Sequence, residues 1–576
     1  MNGPGFFHAV ALDYDGTLVE AETPGEELLA AIEATRRAGR KAVLVTGRIL
    51  SELRGVFPDV DTTFDLLVGE NGAVISVGGR DRPVAPPVPV ELDDQLRARN
   101  VEFQRGQALL ACRGEDEQQV LAAVRELGLE LQLTRNRGAL MVLPAGVTKG
   151  TGLFEGLAFL GISHHNVVAV GDAENDHSLL DGAELGVAVA NAVGSLKAHA
   201  DLVLERPDGA GAAALLRGPV LAGQERVHSR RWQVDLGETP DGLRVTIPAS
   251  QINLLITGPP RWGKSYLAGS IAEKLVGLRY SVLVLDPEGD HTALGHLRGV
   301  LVVGGRDRLP SPGELDRLIA HRFSSVVLDM SGLAPAERAV YMREIPRMIE
   351  AERAATGLPH WLILDEAQDA LGRDSGPAAF PGPETTGFCL VTHLPGELCP
   401  DALRAVDALI SLGGSADVER SAALISAAGG LPGVAARRLA GSAGAGLAVL
   451  ADRAGHATVF RMAGRGTRHL RHWHKYSTGG LIWERRFHFR SDPDTLTGST
   501  AANIEDLERE LRGCPDSVVV HHCRHADLSR WVAEVLGDPV LAAAVAGIES
   551  DLNAGRVPVH QAREKLISAV EERYPG

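Results

Sequence analysis

Two carboxylates two residues apart, Asp13 and Asp15, close the apolar run AVALD in the segment Asp13-Tyr14-Asp15-Gly16-Thr17. A short apolar run followed by turn residues reads as a buried parallel strand opening into a loop, and open α/β sheets bind ligands at such carboxyl ends. There one carboxylate can attack phosphorus while the other protonates the leaving oxygen and later activates water, dividing a hard hydrolysis into two easier steps. Taken alone, the pair reads equally well as a solvated turn. Three further pieces favour chemistry. KAVLVTG (41–47) delivers Thr46 at its end to hydrogen-bond a phosphoryl oxygen, and Lys149 in GVTKG supplies a cation for phosphate and nucleophile. NVVAVGD (166–172) delivers Asp172, with Glu174, Asn175 and Asp176 close behind, oxygen ligands of the kind a hard divalent cation takes.

A second constellation lies further along the chain. The apolar run INLLITG is followed by Gly258-Pro259-Pro260-Arg261-Trp262-Gly263-Lys264-Ser265 and a helical pattern. That is G-x-x-x-x-G-K-S in its strand–loop–helix setting, where backbone N–H groups cradle phosphates, Lys264 reaches the β and γ oxygens and Ser265 ligates Mg²⁺. Pro259, Pro260 and Trp262 make the loop stiffer than usual. About one hundred residues on, WLILD ends in Asp365-Glu366: an Asp for the metal shell and a Glu able to polarise an attacking water, which favours an ATPase over a kinase. Thr392 and His393 end the run GFCLVTH, either to sense a γ-phosphate or as a plain strand end.

These residues need two sheets to position them. With 576 residues, 44% of them hydrophobic, the chain is long enough for several cores, and 66 glycines and 31 prolines are too few for a low-complexity chain. Short apolar runs alternate with helical patterns from residue 9 to about 216, including an amphipathic stretch at 26–38, and again from 251 to 414. Both read as doubly wound α/β units. Expected boundaries are 1–220 for the first unit, with an inserted cap at about 80–146, then 221–480 for the second and 481–576 for a small, mixed α-helical C-terminal unit. Residues 226–242 carry turn signals, and 446–462 read as a hairpin.

The order DYDGT, VTGR, isolated Lys149 and GDAENDHS resembles the haloacid dehalogenase (HAD) superfamily of phosphatases over residues 7 to 205. The resemblance implies a Rossmann-like domain with Asp13 as nucleophile, Asp15 as general acid/base, and Thr46 and Lys149 as phosphate binders. Mg²⁺ would be held by Asp13, the Asp15 carbonyl and Asp172, with Asp176 and Asn175 orienting the metal shell and Asp176 counted in the metal set. The inserted cap and GENGA (69–73) are similar to the α/β-capped subclass that includes sugar-phosphate phosphatases. The alternative is a HAD domain retained as a scaffold. Arg135 and Arg137 read either as holders of a second anionic group or as solvated loop residues. Residues 240–415, with DPEGDH (286–291), VVLDMSGL, PHWLILDEAQ and LVTHLP, resemble the HerA/FtsK group of RecA-like P-loop ATPases. That resemblance implies ATP as ligand and a homo-oligomer, hexameric in many members. It makes Glu288 and Asp290 candidates near the nucleotide, against an ordinary turn reading, and puts an arginine finger among Arg322, Arg343, Arg347 and Arg404.

The overall charge of −16 requires any nucleic-acid contact to use a local basic surface. Residues 461–490 offer one, with eight Lys and Arg against the single Glu484, interleaved with Trp473, Tyr476, Trp483, Phe487 and Phe489. An internal or intersubunit interface is the competing reading. In the tail, which resembles an uncharacterised small domain found with such ATPases, His521, His522, His525 and Asp527 read as a strand end leading into a helix with partly buried histidines rather than a metal cluster, and Trp531 and Val532 as core. Five scattered cysteines, no legible signal peptide and no long apolar run point to a cytoplasmic protein with no membrane contact. The leading expectation is therefore a Mg²⁺-dependent phosphomonoesterase, acting on a small phosphorylated substrate, joined to an ATP-hydrolysing module. The alternatives are a nucleic-acid translocating or end-processing machine and a nucleotide-gated oligomeric scaffold.

Overall fold

The computed structural model describes residues 5–19, 23–136, 138–373, 380, 385–413, 415–431, 447–467, 483–493 and 495–574. The first sheet runs in the order Leu202–Val203, Leu185–Ala188, Val167–Gly171, Ala9–Asp13, Lys41–Val45, Leu66–Gly69, Val74–Val77 and Arg80–Pro83. Its first six strands are parallel and its last two turn back antiparallel. Ala9, Val10, Ala11 and Leu12 are fully buried, as expected of a central parallel strand covered on both faces. Because Val167–Gly171 and Lys41–Val45 flank it in register, Asp13, Thr46 and Asp172 emerge at one edge of the sheet.

A separate antiparallel sheet, Phe103–Arg105, Leu110–Arg113, Ala139–Pro144 and Leu131–Asn136, forms the cap. Leu92 and Leu96 of the helix Glu91–Ala98, and Val120 and Val124 of the helix Glu117–Glu126, share its core with Leu110, Leu140 and Val142. Arg80–Pro83 pairs with Val74–Val77 in the main sheet, so the cap's own core starts at Val88, later than the sequence suggests.

The second sheet has the order Arg244–Pro248, Gln233–Glu238, Ala457–Met462, Leu447–Asp452, Ala408–Ser411, Leu254–Thr257, Phe388–Thr392, Trp361–Leu364, Val282–Asp286, Ser325–Asp329 and Val300–Gly304. From Ala408–Ser411 onward the strands are parallel. Residues 226–242 are thus more than a turn-rich connection. Val234 and Leu236 are buried, and Val234 pairs with Ile247 and Gly237 with Val245 across a register shift at Leu236, extending the sheet as a hairpin. The strand Phe388–Thr392 separates the strand entering the glycine-rich loop from the strand ending at Asp365.

The third unit pairs Phe487–Asp492 with Thr495–Ala501 and packs helices on them around Phe489, Leu507, Val519 and Leu566. Val518 to Val520, β-prone by composition, lie in the helix Asp516–Arg524, where Val518 and Val519 face this core. Among the described residues no helix is long and apolar enough to cross a membrane.

The first two units meet in a buried polar seam. Glu184 accepts hydrogen bonds from His165 Nδ1 at 2.7 Å, from the Tyr280 hydroxyl at 2.7 Å and from the Ser250 hydroxyl. The His165 ring stacks on Tyr280 with centroids 3.6 Å apart, and its Nε2 donates to the Leu278 carbonyl at 2.9 Å. His360 Nδ1 accepts from the Ser281 amide, so its Nε2 donates to Asn166 at 3.2 Å. Burial and the neighbouring imidazoles hold His360 well below the usual histidine range, in keeping with this neutral ring.

Candidate functional site

Asp13 is buried at the end of its strand, where Lys149 bridges it to Asp176: Nζ lies 2.6 Å from Asp13 Oδ1 and 2.6 Å from Asp176 Oδ1. Lys149 opens the helix Lys149–Leu160, whose N-cap Thr148 forms a capping box with Thr151. Burial alone would lower the Lys149 pKa, but the two carboxylates outweigh it and hold the ammonium charged. Burial and then the Asp176 charge push the Asp13 carboxyl up, opposed by Lys149. The other Asp176 oxygen accepts the amides of Asp172 and Ala173, both at 2.9 Å. Asp172 in turn accepts from the Thr17 hydroxyl at 3.1 Å.

Carboxylate oxygens of Asp13, Asp172 and Asp176 lie within 4.8 Å of one another, an all-oxygen set suited to Mg²⁺. Both Asp176 oxygens are engaged, one by Lys149 and the other by the Asp172 and Ala173 amides, so Asp176 fixes Lys149 and the Asp172 loop. Thr46 is fully buried, its hydroxyl accepting the Arg48 amide at 3.1 Å. Asp15 forms a forked ion pair with Arg48, whose Nε lies 3.0 and 3.1 Å from its two oxygens. Arg48 stands in the VTGR segment, but its partner could not be read there because the two residues lie on different strand ends.

The turn after Leu66–Gly69 adjoins this edge. Asn71, at φ 54°, accepts from Asn175 Nδ2 at 3.3 Å. Glu70 accepts the amides of Gln107, Ala108 and Leu109 and so ties the cap to this edge. Gly72 has φ 109°, and a Cβ there would lie 2.0 Å from the Thr148 carbonyl oxygen. Gly72→Ala is therefore expected to displace Thr148 and Lys149 and to lower phosphatase turnover by about 100-fold, the usual cost of an ångström-scale misplacement. Turnover above half of wild type would contradict this placement. Arg135 pairs with Glu117 on the cap surface, and Arg137 lies outside the described residues.

In the second unit Gly263, at φ 90°, turns the loop into the helix Lys264–Gly277, a conformation that favours glycine. Gly258 makes the opening turn at φ 151°. Lys264 Nζ lies 3.2 Å from the Pro259 carbonyl, and the Ser265 hydroxyl donates to Asp365. His291, a residue the sequence did not single out, is 3.0 Å from Asp365. Burial would raise Asp365, but His291 and Ser265 overcome it and hold the carboxyl below its usual value. Glu366, at φ 47°, accepts from Gln368 at 2.7 Å and lies 3.2 Å from His393 Nδ1. Lys264, Ser265, Glu288, Asp365, Glu366 and His393 line one cavity of about 710 Å³. Thr392 is not among the residues that line it. Its hydroxyl donates to Gln368 at 2.6 Å and accepts the Leu394 amide. Glu288 and Arg338 are 3.7 Å apart.

Within the basic stretch, Arg465 is buried beside Thr467 and Glu273, and Phe487 and Phe489 enter the C-terminal core. Residues 468–482 lie outside the described residues. His522 accepts the Arg490 amide on Nε2 and donates from Nδ1 to Asp527, so both ring nitrogens are engaged within the fold.

A profile of haloacid dehalogenase-like hydrolases matches residues 10–83 and 103–216. A phosphoglycolate phosphatase of Methanoculleus marisnigri is 31% identical over 215 residues, which cover 34% of this chain and 91% of that protein. Through its N-terminal unit the chain belongs to the haloacid dehalogenase-like hydrolases. A phosphoglycolate phosphatase of Archaeoglobus fulgidus is 28% identical over 218 residues, 36% of this chain and 95% of that protein. A haloacid dehalogenase-like hydrolase from Bacteroides thetaiotaomicron of known structure is 19% identical, covering 36% of this chain and 98% of its own, with a TM-score of 0.32. The hydrolase unit is thus a phosphatase of the HAD type, a family that uses Mg²⁺.

Proposed function

We propose that the chain carries two phosphoryl-transfer sites: a phosphomonoesterase centred on Asp13 and an ATP-hydrolysing site at Lys264. The observation that carries the first is the Lys149 bridge, which fixes a buried carboxylate among Asp172 and Asp176. Asp13 attacks the phosphorus of a small phosphomonoester and becomes an aspartyl phosphate, and the ester oxygen leaves with a proton from Asp15. Asp15 then takes a proton from water, the resulting hydroxide attacks the aspartyl phosphate, and inorganic phosphate departs with Asp13 restored. For this Asp15 must pass from Arg48 to the leaving oxygen, which frees the guanidinium for a phosphoryl oxygen. Mg²⁺ bound by Asp13 and Asp172 supplies neutralisation of the phosphoryl charge. The name carried by the relatives supports a small phosphorylated acid as substrate.

For the second site, the Ser265–Asp365 contact and the oriented Glu366 support Mg²⁺·ATP with water as acceptor. The burial of Arg465, Phe487 and Phe489 favours an internal role over nucleic-acid contact for those members of the basic stretch. A panel of small phosphomonoesters that includes 2-phosphoglycolate, assayed with Mg²⁺ and with chelator, tests the first site. The expected result is turnover of at least one phosphomonoester that chelation abolishes. Equal turnover under both conditions would sink the assignment.

A further inference from the structure

The nucleotide cavity is closed on one side by the C-terminal unit. Asp538, Arg573 and Tyr574 line it opposite Lys264, Ser265 and Glu366. Asp538 is buried and caps the helix Pro539–Asn553 by accepting the Val540 and Leu541 amides, both at 3.0 Å. Its oxygens also accept Arg573 Nε at 2.7 Å, Arg573 Nη2 at 3.2 Å and the Tyr574 hydroxyl at 3.1 Å. A carboxylate held this firmly fixes one edge of the guanidinium plane. Arg573 Nη1 has no hydrogen-bond partner among the described residues, and the side chain is 18% exposed. Other arginines near the cavity are placed differently. Arg465 is buried beside Thr467 and Glu273, Arg338 lies by Glu288 and Asp369, and Arg261 is exposed on the loop itself.

We propose that Arg573 contacts the terminal phosphate of a nucleoside triphosphate bound at the 258–265 loop of its own chain, with Asp538 as the positioning residue. This rests on the nucleotide reading of that loop. A guanidinium oriented by a carboxylate and facing a phosphate cavity pairs with phosphoryl oxygens in a geometry that an ammonium cannot reproduce. It also supplies in cis the cation that stabilises charge on a transferring phosphoryl group. The C-terminal unit thereby distinguishes triphosphate from diphosphate.

The test measures binding of a fluorescent non-hydrolysable ATP analogue and of fluorescent ADP to the full chain, in an Asp13→Asn background that keeps the phosphatase site from consuming nucleotide. Arg573→Ala is expected to weaken the triphosphate by about tenfold or more and the diphosphate by less than about twofold. Arg573→Lys, which retains a charge if the alanine variant folds poorly, is expected to fall between. Lys264→Ala is expected to abolish binding of both. A triphosphate-to-diphosphate ratio unchanged in both Arg573 variants, with Lys264→Ala still abolishing binding, overturns the Arg573 assignment alone. Undiminished binding in Lys264→Ala overturns the nucleotide reading beneath it.

Discussion

Asp13→Asn is expected to lower phosphomonoester hydrolysis by on the order of 10⁴-fold or more, the scale on which removal of a nucleophile acts. The amide keeps the shape of the carboxylate but cannot attack phosphorus. Asp172 accepts from Thr17 and Asp176 is tied to Lys149 and two amides. The fold is expected to survive. Asp13 binds its proton more tightly folded than unfolded, because burial and the Asp176 charge raise its carboxyl. Such a group stabilises most at low pH and loses that contribution as the pH rises through its unfolded and then its folded value, so at neutral pH the ionised form is a net cost. The neutral amide lacks that cost, and Lys149 keeps Asp176 as partner. A melting midpoint at pH 7 equal to or above wild type, with turnover lost, is the expected pair of results. Retained turnover would remove Asp13 from the mechanism.

Glu184→Ala is expected to act on stability. The carboxylate is 2% exposed and accepts three side-chain donors, from His165, Tyr280 and Ser250. His165 faces acceptors on both nitrogens, Glu184 on one side and the Leu278 carbonyl on the other. Deleting the carboxylate leaves that ring and two hydroxyls without their acceptor inside the seam. Breaking one side of a buried pair costs about 3–5 kcal/mol, which for a unit of this size lowers the melting midpoint by about 6–20 °C. Glu33→Ala, which removes an exposed pair with Arg37, is the control and is expected to change stability by no more than about 1 kcal/mol. Equal effects from the two variants would contradict the buried seam.

What could be read from the sequence follows from how local each signal is. Asp13, Thr46, Lys149 and Asp172 were legible because each ends a buried strand or opens a helix, and strand ends at one edge of a parallel sheet converge without further information. The glycine-rich loop was legible for the same reason. The Asp15–Arg48 pair was not, because it joins two strand ends whose side-chain directions no local pattern fixes. His291 stood in the conspicuous DPEGDH segment, but its partner Asp365 is 74 residues away. Thr392 stands at the expected strand end, where its hydroxyl turns to Gln368, a partner no local pattern announces. The seam assembles His165, Glu184, Ser250, Tyr280 and His360 from separated segments of two units, and none carries a motif. The valines of Asp516–Arg524 favoured a strand by composition, and packing against Leu507 and Leu566 overrode that preference.

Two independent phosphoryl-transfer sites on one chain are tested most directly by crossing their variants. Wild type, Asp13→Asn, Lys264→Ala and the double variant would each be assayed with Mg²⁺ for phosphomonoester hydrolysis and for ATP hydrolysis, the latter with and without DNA and RNA. The expected result is that Asp13→Asn loses phosphomonoester turnover and keeps ATP turnover, Lys264→Ala does the reverse, and the double variant loses both. Loss of ATP turnover in Asp13→Asn with Lys264→Ala unaffected would show a single phosphatase site acting on both substrates, and would contradict the second site.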